Sequence, residues 1–396
     1  MIGLGRLGLS IALCFEKAGW DVLGVDISAP RVEAVNAREL KSREPMVERY
    51  LRDSKRIHAT SDLGKALEFS NIIYISVATP SSCTDAISPV GLGKLLLELN
   101  TKYQIKNKHL VLCSTIAPGY IEDVAKPLLD GCENVTISYI PDGAVPISYG
   151  DLITGITQPA MILIGEGSTE AGNVLEAAHR SIITNNPRIC RMNTTSAEIT
   201  KLALAAISAS RIALTNYFCH VANARQGADA DAILKCIGSD PRFGDSFFVR
   251  GYGFGGPCIP RDMRALAQFG KSHSIEPTII DALFESNDQH TEMIASKILQ
   301  GIGSGSERKV VLSDVAFKER AVTDVIDESR KLALASLLVQ KGVQVTIKDK
   351  EAVINEVRKL YGKKFSYEIS LDTPADELII VQDEFNNKKM RMDELK

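Results

Sequence analysis

The chain has 396 residues, a formal net charge of -3, and 45% hydrophobic against 24% charged residues. This length predicts two or three domains, and the near-neutral charge gives no electrostatic reason to expect a nucleic acid or an anionic membrane as partner. Apolar runs stop short of the roughly 18 residues of a transmembrane helix, and the eight cysteines include no CxxC pair, which favours a reduced, cytoplasmic protein without a metal site or disulfide framework.

The first 28 residues predict a strand, a glycine-rich turn, a helix and a second strand. The apolar run 1–4 meets the turn, the helix ends near Gly19, and the strand 21–25 is closed by Asp26. Because the first strand begins almost at Met1, we expect it either to be short or to be clipped at its N-terminal edge, which would weaken the sheet.

Further along the chain, strands and helices alternate and then give way to helices. Alternation predicts a parallel sheet covered on both faces, with strands at 71–77, 109–113, 135–139 and 160–164. Residues 195–224 have helical spacing without a strand signal, which predicts a long helix between domains. A loop at 243–256 and a helix near 276–301 follow. Strands at 309–313, 343–348 and 377–381, with a helix at 329–341, predict a second, smaller α/β unit.

The opening turn contains the pattern G-x-G-x-x-G at Gly3, Gly5 and Gly8. These glycines would permit the tight turn, the approach of a pyrophosphate and the close packing of the helix, whose N-terminus attracts phosphate. Asp26 lies 18 residues after Gly8 and would accept hydrogen bonds from the ribose hydroxyls, which favours NAD over NADP. The simpler alternative is a glycine turn followed by a surface aspartate.

Residues 251–262, GYGFGGPCIPRD, place Cys258 directly after a glycine-rich loop. Gly253, Gly255 and Gly256 would let the backbone approach a ligand or adopt positive φ. A reactive thiol needs both access and a lowered pKa, and a cysteine in such a loop between domains could have both. The alternative for a lone cysteine is a buried structural thiol.

Several separated motifs in the same order resemble those of the UDP-glucose/GDP-mannose dehydrogenase family. FGGPCIPRD (254–262) is similar to that family's F-G-G-x-C-x-P-K-D signature. The other matches are VATP (77–80), STIAPG (114–119), AEITKLALAAISASRIALTN (197–216), DPRFG (240–244), VAFK (315–318) and DES (327–329). The similarity covers nearly the whole chain, and the D-P-R-F-G and cysteine motifs are closest to the UDP-glucose branch.

The resemblance implies an α/β protein with two Rossmann-like doubly wound domains joined by a long central helix and a helical dimerisation region. The implied domains are an NAD-binding domain (1–190), a central domain with the catalytic cysteine loop (191–300) and a nucleotide-sugar-binding domain (301–396). It further implies a homodimer that oxidises the C6 alcohol of a nucleotide sugar to a carboxylate with NAD, through a thiohemiacetal and a thioester on Cys258.

The resemblance also assigns roles to individual residues. Lys201 would stabilise the oxyanion, Asp262 would assist water and proton transfer, Thr115 would lie near the nicotinamide, and Asp142 matches the first glutamate of P-E-F-L-R-E-G. The cofactor-binding residues would be Gly3, Gly5, Arg6, Leu7, Gly8, Asp26, Thr79 and Thr115. The substrate-binding residues would be Lys201, Arg242, Phe248, Tyr252, Gly253, Gly255 and Lys318. Plainer alternatives are a solvated helix charge for Lys201 and a loop cap for Asp262.

The sequence departs from the family pattern at several of these positions. Ala205 replaces an asparagine of the long helix, Tyr217 replaces a glutamate after Asn216, and no carboxylate matches the second glutamate of P-E-F-L-R-E-G, where the match falls on Tyr149. In addition, Asp327 stands for an arginine and Arg261 for a lysine. Three alternatives stay open: an active dehydrogenase, a degenerate paralogue that binds NAD or a partner with little turnover, and a two-electron dehydrogenase related to the β-hydroxyacid enzymes. Cys258 argues against the last, because that chemistry needs no thiol.

Overall fold

A computed structural model describes residues 1–42, 44–80, 87–141, 152–248, 250–302, 308–317, 325–370, 378–381 and 387–390. The chain forms two compact units. The first comprises Met1–Leu204 with Gln268–His273, and the second comprises Ala205–Ala267 with Ser274–Lys396.

The first unit is built on parallel strands with helices between them, as the alternation in the sequence predicts. Its strands are β1 Val22–Val25, β2 Ile57–Thr60, β3 Ile72–Ile75, β4 Lys106–Leu112, β5 Glu133–Tyr139, β6 Met161–Glu166 and β7 Arg188–Asn193. Its helices are α1 Arg6–Lys17, α2 Ala29–Ala37, α3 Pro45–Asp53, α4 Leu63–Phe69, α5 Val90–Thr101, α6 Lys126–Leu128 (preceded by the π-helical turn Ile121–Ala125), α7 Leu152–Thr157 and α8 Thr169–Ile182.

The sheet of the first unit agrees with one expectation and differs from another. The first strand is short, as expected: it is reduced to Ile2, which forms parallel bridges to Val25 and Ile75 and so joins the β1–β2 pair to the order β3-β4-β5-β6-β7. The sheet is not wholly parallel, because β5 pairs with β6 in the antiparallel sense through Tyr139 and Gly165. Buried apolar clusters pack on the sheet, and one of them includes the side chains of Leu4, Leu9 and Leu13.

Two helices have residues in both units: α9 Thr194–Asn223 and α11 Ile259–Ser272. The bounds of α9 agree with the predicted helix at 195–224. Within the described residues, α9 is the one helix that is long and apolar enough to cross a membrane, a test that core helices of soluble proteins also pass.

The second unit contains a smaller α/β sheet and several helices. Its remaining helices are α10 Ala230–Gly238, α12 Thr278–Ile302, α13 Arg330–Gln340 and α14 Glu351–Tyr361. Its strands are β8 Lys309–Ser313, β9 Gln344–Asp349, β10 Ser366–Ile369, β11 Leu378–Val381 and β12 Asn387–Met390. The strand order is β10-β9-β8-β11-β12; β8, β9 and β10 run parallel, while β11 pairs antiparallel with both β8 and β12. The fold is therefore the predicted α/β class, with antiparallel strands added at one edge.

Candidate functional site

The glycine turn of the first unit closes tightly on one side and is open on the other. Gly3 has φ of +90°, and a Cβ there would lie 2.2 Å from the backbone oxygen of Ser76. A Cβ on Gly8 would lie 2.0 Å from the Gly3 oxygen, so α1 packs directly on the turn. A Cβ on Gly5, the N-cap of α1, would meet no atom within 4 Å among the described residues. The open side at the helix N-terminus therefore fits a pyrophosphate.

Asp26 is fixed beside this turn at the end of β1. Its Oδ2 accepts a hydrogen bond of 2.9 Å from the Leu4 N–H, and its Oδ1 accepts one of 2.9 Å from the Ser28 N–H. Arg31, which the sequence analysis did not single out, donates from Nη1 to the Leu4 oxygen at 3.0 Å. The carboxylate is thus oriented by backbone donors at the place where a ribose would lie next to the turn.

The other predicted cofactor residues lie on α1 and after the neighbouring strands. Arg6 and Leu7 open α1, and the Arg6 Nε lies 3.4 Å from Glu44. Thr79 and Thr115 are buried in the segments that follow β3 and β4. The carboxyl ends of parallel strands are where ligands bind in such sheets, so this end of the first unit collects all the predicted cofactor residues.

A buried carboxylate that was not singled out from the sequence fastens the segment after Thr115 to α9. Glu198 is fully buried and accepts hydrogen bonds from the N–H groups of Gly119 at 2.5 Å and Ile121 at 3.0 Å. Burial raises the pKa of Glu198 to about 7, against the opposing effect of these two donors. Lys201, one turn further along α9, is also buried. The A-E-x-x-K match is the signal that could have identified Glu198.

In the second unit, Cys258 directly precedes α11 and is partly exposed. Its carbonyl oxygen accepts the Asp262 N–H at 2.9 Å, so the cysteine occupies the N-terminal end of the helix. Such a position favours negative charge, as a thiolate nucleophile requires. Asp262 is buried, and the Arg261 guanidinium contacts its Oδ1 at 3.0 and 3.1 Å.

Side chains of two helices hold the backbone of the segment that leads to Cys258. At its start, the Asn216 Oδ1 accepts the Gly251 N–H at 3.1 Å, and the His290 Nε2 donates to the Gly251 oxygen at 2.7 Å. Three residues later, Asn287 accepts the Phe254 N–H and donates to the Phe254 oxygen, both at 2.9 Å. The backbone is therefore fastened at two points before the cysteine.

Close contacts with other protein atoms leave little room for a side chain at Gly253, Gly255 and Gly256 of this segment. Gly253 has φ of +107°, and a Cβ there would lie 2.2 Å from the Asn287 Oδ1. A Cβ on Gly255 would lie 2.3 Å from the Glu328 oxygen, and one on Gly256, at φ +80°, would lie 2.4 Å from the Phe317 ring. The prediction of positive φ is confirmed at two of the three glycines, and the close neighbours are protein atoms.

The predicted substrate residues of the second unit have different surroundings. The side chain of Arg242 is 77% exposed and pairs with Asp240 at 2.6 Å. Phe248 packs against a buried cluster of α9 and α10, with the Arg211 guanidinium 5.4 Å from its ring centre. Tyr252 is buried, with the Lys331 Nζ 5.1 Å from its ring centre.

Three positions of the sequence analysis, Asp142, Tyr149 and Lys318, lie outside the described residues. Lys201 and Thr115 belong to the first unit, whereas Cys258 and Asp262 belong to the second. Ala205, where the family pattern has asparagine, is buried. The roles of these residues stay predictions.

Comparison with known proteins gives consistent matches. Residues 1–183 match the NAD binding domain of the UDP-glucose/GDP-mannose dehydrogenase family, and residues 195–289 match its central domain. The chain is 28% identical to GDP-mannose 6-dehydrogenase of Pseudomonas aeruginosa over 97% of this chain and 87% of that protein. It is 28% identical to a UDP-glucose 6-dehydrogenase of Haloferax volcanii, over 90% of this chain and 84% of that protein.

Solved structures agree with these matches. A UDP-glucose dehydrogenase from the archaeon Pyrobaculum islandicum superposes with a TM-score of 0.83 at 25% identity, covering 93% of this chain and 85% of that one. Relatives named for different sugar nucleotides are thus similar to this chain to the same degree.

Proposed function

Since the chain belongs to the UDP-glucose/GDP-mannose dehydrogenase family, we propose that it oxidises the C6 alcohol of a nucleotide sugar to the carboxylate, with Cys258 as the nucleophile. Its cofactor is NAD. The observation that carries the proposal is the position of Cys258, which is partly exposed at the N-terminal end of α11 and follows a backbone segment fastened at two points.

The residues of the glycine turn fit the cofactor. The open side at Gly5 leaves room for the pyrophosphate, and Asp26 is oriented to accept the ribose hydroxyls. NAD, when bound, accepts one hydride in each of the two oxidation steps. The buried Thr115, in the segment that follows β4, would lie near the nicotinamide, and the buried Thr79, in the segment that follows β3, would also bind the cofactor.

The thiol explains how two oxidations proceed at one site. The first oxidation removes a hydride and a proton from the C6 alcohol and leaves an aldehyde. The Cys258 sulfur then adds to the aldehyde carbon, and the oxygen takes up a proton, which gives a thiohemiacetal. Loss of a second hydride and a proton gives a thioester, and water replaces the sulfur to release the carboxylate and the free thiol. Lys201 would stabilise the oxyanion, and Asp262 would assist water and proton transfer.

We assign the substrate to the sugar-nucleotide class and name UDP-glucose as the first candidate, because the D-P-R-F-G and cysteine motifs are closest to that branch. The sugar nucleotide would contact Arg242, Phe248, Tyr252, Gly253, Gly255 and Lys318. Residues 1–190 would bind NAD, 191–300 would form the central domain of a homodimer, and 301–396 would bind the nucleotide sugar. A cytoplasmic location suits both the substrate and the free thiols.

The departures at Ala205 and Tyr149 favour one alternative, a chain that forms the thioester slowly or does not hydrolyse it. Ala205 is buried and offers no hydrogen bond from its side chain. A missing donor beside the oxyanion costs roughly a hundredfold or more in turnover in other acyl-transfer enzymes.

The test is the stoichiometry of NADH release with UDP-glucose, UDP-N-acetylmannosamine and GDP-mannose, each followed by absorbance. Two NADH per sugar consumed supports the full reaction. A single enzyme equivalent of acyl adduct on Cys258, detected by mass spectrometry, identifies the stalled form. Cys258→Ser should abolish conversion to the acid, and full conversion by that variant would refute the assignment of the nucleophile.

A further inference from the structure

Two histidines on neighbouring helices form a hydrogen-bonded pair behind the Cys258 segment. His220 lies on α9 and His290 on α12, and the His220 Nε2 is 2.7 Å from the His290 Nδ1. The other ring nitrogen of His290, Nε2, is 2.7 Å from the Gly251 oxygen. None of the site roles assigned above uses this pair.

The partners determine which nitrogens carry hydrogen. The Gly251 carbonyl only accepts, so the His290 Nε2 must donate. Burial, together with the charges of His220, Arg330 and Lys297, lowers the pKa of His290 to about 4, against the opposing effect of its hydrogen bond to Gly251. Burial and Lys297 also lower the pKa of His220. Both rings are therefore neutral near pH 7.

In a neutral His290 that donates from Nε2, the Nδ1 atom is bare and must accept. The His220 Nε2 is then the donor to it. The remaining nitrogen, the His220 Nδ1, is buried and has no hydrogen-bond partner within the described part of the chain. His220 also lines a small pocket, together with Ser286 and Gln289. The two ring N–H hydrogens therefore lie on the His290 Nε2 and the His220 Nε2.

We propose that His220 and His290 are positioning residues for the Cys258 segment: the His220 donor holds the His290 ring in the orientation from which Nε2 donates to Gly251, and this bond fixes the start of the segment. Without the His220 donor, the His290 Nδ1 would lose its hydrogen-bond partner, and the ring would be free to turn away from the Gly251 oxygen. Tyr252, the next residue, is buried and belongs to the proposed substrate site, so the displacement would reach the residues that bind sugar nucleotide.

A set of substitutions separates this relay from simple packing. His220→Leu removes the donor, whereas His220→Gln keeps an amide N–H in its place. His290→Leu removes the ring that is to be oriented, together with its bond to Gly251. The relay therefore predicts that His220→Leu is costly when His290 is present and adds little in the His290→Leu background, which a double-mutant cycle measures.

Each variant is measured in two ways. Only the kinetic measurement rests on the proposed function, so failure of the relay and failure of the proposed function can be told apart. The first is kcat and KM for the active nucleotide sugar. The second is the rate of iodoacetamide alkylation of Cys258 by peptide mass spectrometry, with the exposed Cys236 in the same protein as internal control. The second readout needs no turnover, so a chain without dehydrogenase activity still tests the relay.

We expect His220→Leu to change the Cys258 alkylation rate and kcat/KM by about tenfold, the equivalent of one hydrogen bond. His290→Leu should impair both quantities at least as much. His220→Gln, compared with the wild type, and the addition of His220→Leu to His290→Leu, compared with His290→Leu alone, should each change them by no more than about threefold, and Cys236 alkylation should not change. Equal costs of His220→Leu in both backgrounds, or a His220→Gln variant as impaired as His220→Leu, would overturn the relay. Thermal unfolding of each variant confirms that it is folded.

Discussion

Gly5→Ala should leave the protein folded and weaken NAD binding. Gly5 has φ of -64° and ψ of -171°, a conformation that alanine adopts without strain, and its Cβ would meet no atom within 4 Å among the described residues. We therefore expect the free energy of unfolding to change by less than about 1 kcal/mol. The added methyl occupies the side from which the pyrophosphate approaches the helix N-terminus, where hydrogen bonds to a charged group contribute about 1.5–3 kcal/mol each.

Loss of one such bond raises the Kd for NAD at least about tenfold. At an NAD concentration of 100 times the wild-type Kd, the wild type gains about 2.7 kcal/mol of stability from the cofactor, and the variant gains about 1.4 kcal/mol. Titration calorimetry and thermal unfolding with and without NAD measure both quantities. Gly3→Ala is the contrasting variant, because φ of +90° and a Cβ 2.2 Å from the Ser76 oxygen should destabilise the fold itself. A folded Gly5→Ala protein with unchanged NAD affinity would refute the placement of the cofactor.

Three further substitutions, one of them paired with a control variant, test the surroundings of the site. Because the pKa of Glu198 is raised to about 7 from its ordinary 4.5, its stabilising contribution is full below about pH 4.5 and lost as pH rises through 7, so the stability advantage of the wild type over Glu198→Gln should shrink between pH 5 and pH 8 in thermal unfolding. Asn287→Ala removes both hydrogen bonds to Phe254 and should cost about 2–4 kcal/mol in urea unfolding, whereas Asp288→Ala, which removes an exposed ion pair, should cost under about 1 kcal/mol; equal costs would contradict the fastening role. Arg242→Ala should leave the unfolding temperature unchanged because the side chain is 77% exposed, and should raise KM for the sugar nucleotide about tenfold; an unchanged KM would remove Arg242 from the substrate site.

The sequence predicts those elements whose signal is local. The periodicity at 195–224 gives the long helix α9 to within one residue at each end, and the strand predicted at 309–313 coincides with β8. Strand direction leaves no trace in periodicity, so the antiparallel pairing of β5 with β6 and of β11 with β8 was not predicted. The short strands β2 and β7 were missed because neither stands out as a continuous apolar run.

The residues of the candidate site also fall into those that local sequence predicts and those that it does not. The glycine turn and Asp26 both lie in the first 26 residues, and their spacing in the sequence is enough to predict that they lie close together. The groups that fasten the Cys258 segment come from 33 to 39 positions away, on helices whose polar residues look like solvated positions in the sequence. Only the tertiary packing shows that Asn287 faces the backbone of Phe254, so neither Asn287 nor the histidine pair could be identified beforehand.

Neutral side chains hold the backbone of the segment that leads to Cys258. Asn216, Asn287 and the neutral His290 bond directly to this backbone, whereas the charged pair Arg261–Asp262 lies on α11, after the cysteine. In the proposed reaction the sulfur at 258 alternates between a negative thiolate and a neutral acyl ester. A charged side chain bonded to this backbone would interact differently with these two states of the sulfur, since Coulomb energies in a partly buried site amount to several kcal/mol. Neutral hydrogen bonds keep nearly the same energy in both states, so they can hold the backbone still through the whole reaction.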